Sequence, residues 1–153
     1  MRKLFKWSDK YSVGVPSLDI QHKRFFEITN EIVSVLDNPN YSNTVDFANA
    51  NVSDLKKQLI LLIVELGNYA LGHLGYEEGC LRTHKCPGCE THTEIHDVYR
   101  EKVKNYLGEV RKPEIDVFAL AQDVATFSQD WLSQHILSKD KEYTGCLTKF
   151  NVQ

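Results

Sequence analysis

The chain has 153 residues and six histidines, and five of those histidines occur in patterns that suit shared ligands. His92 and His96 are four residues apart, so on a helix they stand about 6 Å apart along one face and can hold the same ion. His73 and Glu77 repeat that spacing with a carboxylate as the second member. His22 stands alone near the N-terminus, and His135 is followed five residues later by Asp140. A single histidine on an apolar face is ordinarily a hydrogen-bonded core residue. Five imidazoles and two carboxylates on such faces each need a partner once desolvated, and the sequence shows no matching set of polar side chains to supply one. Metal ions would satisfy all seven together. Imidazole with carboxylate suits Fe, Zn, Mn or Cu, whereas calcium and magnesium prefer mainly oxygen. Seven donors exceed one tetrahedral zinc and fit two metals that share bridging carboxylates.

Four helical stripes must position these groups. The first helix is expected to begin at Ser17 or Asp19, either of which can cap free backbone N–H groups, and to run through His22, Phe26, Thr29, Val33 and Leu36 to a stop at Asn38-Pro39. A polar stretch, 37–51, with Tyr41 and Phe47, reads as a long connection. The second helix is predicted from about Val52 to about His84, with Leu55, Leu59, Leu62, Leu66, Tyr69, His73 and Glu77 on one side, followed by Cys80 or Leu81. Gly67, Gly72, Gly75 and Gly79 each cost it roughly 1 kcal/mol relative to alanine. The expected reason is close approach of a neighbouring backbone beside His73. The third stripe is His92, His96, Tyr99, Val103, Tyr106 or Leu107 and Val110, ended by Lys112-Pro113; the fourth is Val117, Leu120, Val124, Phe127, Trp131 and His135. No segment alternates as a half-buried strand does. The expectation is an all-α, up-down-up-down four-helix bundle in one domain over 1–153, with an N-terminal arm and a short C-terminal segment.

Composition excludes other classes. The net charge of -3 shows no cationic cluster for a phosphate backbone, which argues against nucleic acid. The longest apolar run, Leu59 to Val64, falls short of the ~20 residues a bilayer requires, and no signal-peptide pattern follows Met1-Arg2-Lys3. No membrane partner and a cytoplasmic location are the default expectations.

With these residues in place, the chain resembles the hemerythrin family, specifically its single-domain bacterial members. The resemblance rests on Asp19-Ile20-Gln21-His22, His73-Leu74-Gly75-Tyr76-Glu77-Glu78, His92-Thr93-Glu94-Ile95-His96, and Trp131-Leu132-Ser133-Gln134-His135-Ile136 with Asp140 and Tyr143. Trp7 and Tyr11-Ser12-Val13-Gly14-Val15 also look like the family's N-terminal arm. The resemblance implies a non-haem di-iron centre. His92, His96 and His135 would hold one iron, His22 and His73 the other, and Glu77 and Asp140 would bridge. It further implies that dioxygen binds at the two-histidine iron as a hydroperoxide, in a dry pocket walled by Trp131, Leu132 and Leu74. Two ferrous ions, two carboxylates and a hydroxide leave a formal charge of about +1, a poor environment for high-valent iron, so binding dioxygen is favoured over splitting it. Leu74 stands where the family usually has phenylalanine, and the smaller side chain is expected to leave a larger or wetter pocket.

Cys80, His84, Cys86 and Cys89 form a second cluster outside the family pattern. Three readings stay open: free thiols acting as small apolar residues, a redox-active Cys86–Cys89 disulfide, or a zinc site of three cysteines and His84. Cys146 is isolated in sequence, with no visible partner. The leading functional expectation is a dioxygen-binding protein for storage, delivery or sensing. The alternative is a di-iron oxidoreductase acting on nitric oxide or peroxide, with electrons from Cys86 and Cys89. A scavenger of ferrous iron is a third reading, disfavoured by ligands fixed on four helices.

Overall fold

The computed structural model describes residues 4–38 and 50–153. Four long helices form an up-down-up-down bundle: α1 (Pro16–Leu36), α2 (Ala50–Thr83), α3 (Cys89–Glu109) and α4 (Val117–Ser138). A 3-10 turn at Asp140–Tyr143 and a short α5 (Thr144–Lys149) follow. The predicted stripes face inward: Phe26, Thr29 and Val33 on α1, Leu59, Leu66 and Leu81 on α2, Tyr99 and Val103 on α3, and Leu120 and Val124 on α4 are all buried. Most of the predicted connection, including Tyr41 and Phe47, lies outside the described residues.

The helix ends differ from the expected ones for local reasons. Pro16 opens α1 one residue ahead of Ser17, where its fixed φ and missing N–H suit the first helical position. Asp19, expected as a cap, reaches back instead: its carboxylate accepts from the Val13 amide at 2.8 Å and the Ser12 hydroxyl at 2.6 Å, fastening the arm to α1. Farther out, Asn30 exchanges two hydrogen bonds with the Phe5 backbone, and the Phe5 ring stacks on Phe26. Asp116 caps α4 by accepting from the amides of Phe118 and Ala119.

The glycines of α2 do not mark a close backbone approach at His73. A Cβ at Gly72, Gly75 or Gly79 would meet nothing within 4 Å, whereas one at Gly67 would meet the Leu107 side chain at 3.0 Å. The tight crossing therefore lies nearly two turns before His73 and is made by a side chain. By length and mean hydropathy, Ser53–Thr83 of α2 could span a bilayer. Within the bundle it is a core helix, with Leu59, Ile63, Leu66, His73 and Glu77 buried against its neighbours.

The cysteines pair in a way that local spacing does not encode. Cys86 forms a disulfide with Cys146, sixty residues away, because the C-terminal segment folds back onto the turn between α2 and α3. A Cys86–Cys89 bond is thereby excluded in this state, and a zinc site that needs the Cys86 thiolate is lost with it. Cys80 and Cys89 are free and half-buried. The Nδ1–H of His84 donates to the Cys80 carbonyl at 2.9 Å.

Candidate metal centre

Each of the four helices brings histidine to one level of the bundle interior. His22 comes from α1, His73 and Glu77 from consecutive turns of α2, His92 and His96 from consecutive turns of α3, and His135 from the last turn of α4. Asp140 is the first residue of the 3-10 turn that follows α4, which swings its carboxylate back under the helix end. All seven side chains are buried, with His22, His96, Glu77 and Asp140 at 0% exposure.

The ligating atoms form two groups, each within 4.8 Å: Glu77, His92, His96, His135 and Asp140 in one, and His22, His73 and Glu77 in the other. The two carboxylates divide their oxygens between the groups. Oε1 of Glu77 lies 2.7 Å from His92 Nε2 and 3.3 Å from His96 Nε2, while Oε2 lies 3.3 Å from His73 Nε2 and 3.5 Å from His22 Nε2. Oδ1 of Asp140 lies 2.7 Å from His135 Nε2 and 3.1 Å from His92 Nε2, while Oδ2 lies 3.3 Å from His22 Nε2. This is how two cations side by side would be bridged.

The histidine rings are oriented from outside. The Nδ1–H of His73 donates to Gln21 Oε1 at 2.7 Å, and that of His96 to Glu78 Oε1 at 2.9 Å. Arg100 holds Glu78 in turn at 2.7 Å. Both bonds leave Nε2 as the inward donor atom, the usual arrangement around a ligated histidine. No role was predicted for Gln21 or Glu78. Both stand next in the chain to a candidate ligand, Gln21 before His22 and Glu78 after Glu77, inside the stretches that carry the family resemblance.

The charges sharpen the fit. Burial by itself would lower the His22 pKa, but the facing Asp140 and Glu77 carboxylates outweigh it and lift the ring to about 9; His92 is lifted to about 9 by the same pair. Burial would raise both carboxyls, and the surrounding imidazoles reverse this, holding Glu77 well below its ordinary value and Asp140 at about 2. For His73 burial prevails, and its pKa falls. Even so, both ring nitrogens of His22, Oε2 of Glu77 and both oxygens of Asp140 are buried without a hydrogen bond. Orphaned polar atoms this deep are costly and rare, and cations among them would satisfy the set.

Aromatic rings close the site on the α4 side. Trp131 stacks on His135 at 4.4 Å between ring centroids and on Tyr99 at 4.1 Å. Tyr143 is buried edge-on to His92 at 5.2 Å.

A profile described as the hemerythrin HHE cation binding domain matches residues 13–147, which include every one of these side chains. The chain belongs to the hemerythrin family. Among hemerythrin relatives, it is 29% identical to a bacteriohemerythrin of Clostridium acetobutylicum over 140 residues, covering 92% of this chain and 98% of that protein. It is 27% identical to a hemerythrin of Sipunculus nudus, covering 94% and 93% respectively. A crystal structure of wild-type hemerythrin superposes with a TM-score of 0.74 at 26% identity, covering 95% of this chain and 99% of that one. The hemerythrin fold is thereby established for this chain, with a His/Glu/Asp cluster inside it able to bind metal.

Proposed function

We propose that the chain holds two iron ions at this cluster and binds dioxygen reversibly. The observation that carries the reading is the division of Glu77 and Asp140 between two histidine groups of unequal size. His92, His96 and His135 would hold one ion and His22 and His73 the other, with Glu77 and Asp140 shared between them. The second ion would thus have one protein ligand fewer. The iron pair, when bound, supplies the electrons and the open site that dioxygen requires.

The chain's own residues do the rest. Gln21 and Glu78 fix the ring orientations, so the donor atoms are set before metal arrives. In this reading Leu74 and Leu132, each 1% exposed, and Trp131, stacked on His135, wall the centre off from water. Exclusion of water strengthens the internal electrostatics and suppresses side reactions of the bound gas. Storage, delivery and sensing all follow from the same binding step.

The rival reading, an oxidoreductase acting on nitric oxide or peroxide, needs an electron supply. The cysteine pair considered for that task is not a pair here, since Cys86 is bonded to Cys146. The deciding experiment is the visible spectrum of iron-loaded, reduced protein. A charge-transfer band should appear on exposure to air and vanish under vacuum, with two irons per chain by analysis. An unchanged spectrum in air refutes dioxygen binding, and repeated turnover of nitric oxide or peroxide with a reductant would favour the rival.

A further inference from the structure

The Cys86–Cys146 bond joins the turn after α2 to the segment that carries a bridging carboxylate. Asp140, Tyr143 and Cys146 lie within seven consecutive residues, with the first two buried against the histidine cluster. The last of the three sits in α5, which has only 6 residues. A helix this short does not stand alone in water, so its order depends on what fastens it. Its anchors include the buried Leu147, the arm at Gly14 lying against Thr144 and Thr148, a contact between His84 and Phe150 just beyond its end, and the disulfide. Cys89, the first residue of α3, is a free thiol three positions from Cys86, and both line one open cleft at the bundle end, beside Arg82 and Lys85.

We propose that Cys86–Cys146 is a thiol-exchange site that latches the C-terminal segment against the metal cluster, with Cys89 as the thiol that replaces Cys146 on Cys86. In the exchange the Cys89 thiolate attacks Cys86 Sγ, the Cys86–Cys146 bond breaks, and Cys146 leaves as a thiolate that takes up the proton Cys89 released. One disulfide is exchanged for another with no net electron transfer. A dithiol can also open the latch outright, giving two electrons and two protons to the cysteines and closing to its own disulfide. In either released state α5 loses its covalent anchor, and the turn holding Asp140 loses one of its supports. The consequence for metal retention rests on the proposed ligand role of Asp140; the latch itself does not.

The test uses the full-length chain, metal-free and iron-loaded, equilibrated in buffers of graded dithiothreitol ratio. Peptide mapping should show Cys86–Cys146 under oxidising conditions and a Cys86–Cys89 species at intermediate ratios. Amide exchange in Thr144–Lys149 should quicken at least about tenfold when the latch opens, with α1 to α4 unchanged, as expected of local rather than global opening. Cys146→Ser should reproduce the open state in oxidising buffer. Cys89→Ser should keep the latch and abolish the exchanged species. In iron-loaded protein, release to a ferrous chelator should quicken with the same midpoint. Absence of any Cys86–Cys89 species, or equal exchange in α5 with the latch open and closed, overturns the proposal. Failure of the iron arm alone, with the metal-free results as expected, counts instead against Asp140 as a ligand.

Discussion

At the scale of single residues, two side chains set how well the centre is built and sealed. Glu78 gives His96 a charged hydrogen-bond partner and is itself held by Arg100. Glu78→Gln keeps the shape and removes the charge. Losing such an outer partner typically weakens metal binding about 10–100-fold, and competition against a chelator of known affinity should show that loss without a change of fold. Leu74 is fully enclosed next to a candidate ligand. Leu74→Phe fills more of the proposed pocket, so its oxygenated form should decay more slowly than the wild type's, by stopped-flow absorbance; equal or faster decay refutes the larger, wetter pocket. The candidate ligands were legible in the sequence because their chemistry restricts the residue types and the helix restricts the spacing. Gln21, Glu78 and the Cys146 partnership were not, because a hydrogen bond across 52 residues or a disulfide across 60 leaves no local pattern.

At the scale of helices, the sequence told which residues face inward but not why α2 tolerates its glycines. Periodicity reports a buried face because burial imposes it, whereas a glycine reports only the lack of a side chain. Gly67 has a packing reason, since a Cβ there would press on Leu107, and Gly75 has none within 4 Å. Gly75→Ala should therefore stabilise the protein by roughly 0.5–1 kcal/mol through helix propensity alone. For a chain of this size that is a rise in melting temperature of about 1–4 °C. Gly67→Ala should gain less or lose stability, because Leu107 must shift to admit the methyl group. Thermal unfolding of the two variants side by side decides this, and an equal rise in both would remove the packing role of Gly67. The helix ends were legible only in part: Pro16 and Asp116 act as local rules expect, while Asp19 serves the arm because the chain before α1 turns back within its reach.

At the scale of the whole molecule, metal loading and folding are coupled through the same buried charges. In the metal-free chain His22 and His92 titrate near 9 against an ordinary 6.5. Their contribution to stability is complete below about pH 6.5 and is lost as pH rises through 9. Glu77 and Asp140 are held low, so their contribution is complete above their ordinary values of 4.5 and 3.8 and is lost as pH falls well below them, through about 2 for Asp140. His73 runs against the other two histidines, because burial lowers its pKa and it favours the folded state only above about pH 6.5. Above about pH 6.5 His73 is neutral in the folded and unfolded chain alike, so the two raised groups act there alone and the melting temperature of metal-free protein should fall between about pH 6.5 and 9. Loading the cluster with metal replaces those protons, because a ligated imidazole must be neutral. The loaded protein should therefore melt higher and lose most of this alkaline decline. Melting curves of both forms across that range test the coupling. A metal-free form as stable at pH 9 as at 6.5 would mean that the carboxylates do not hold protons on His22 and His92, and the tight packing of charge seen in the bundle would then need another origin.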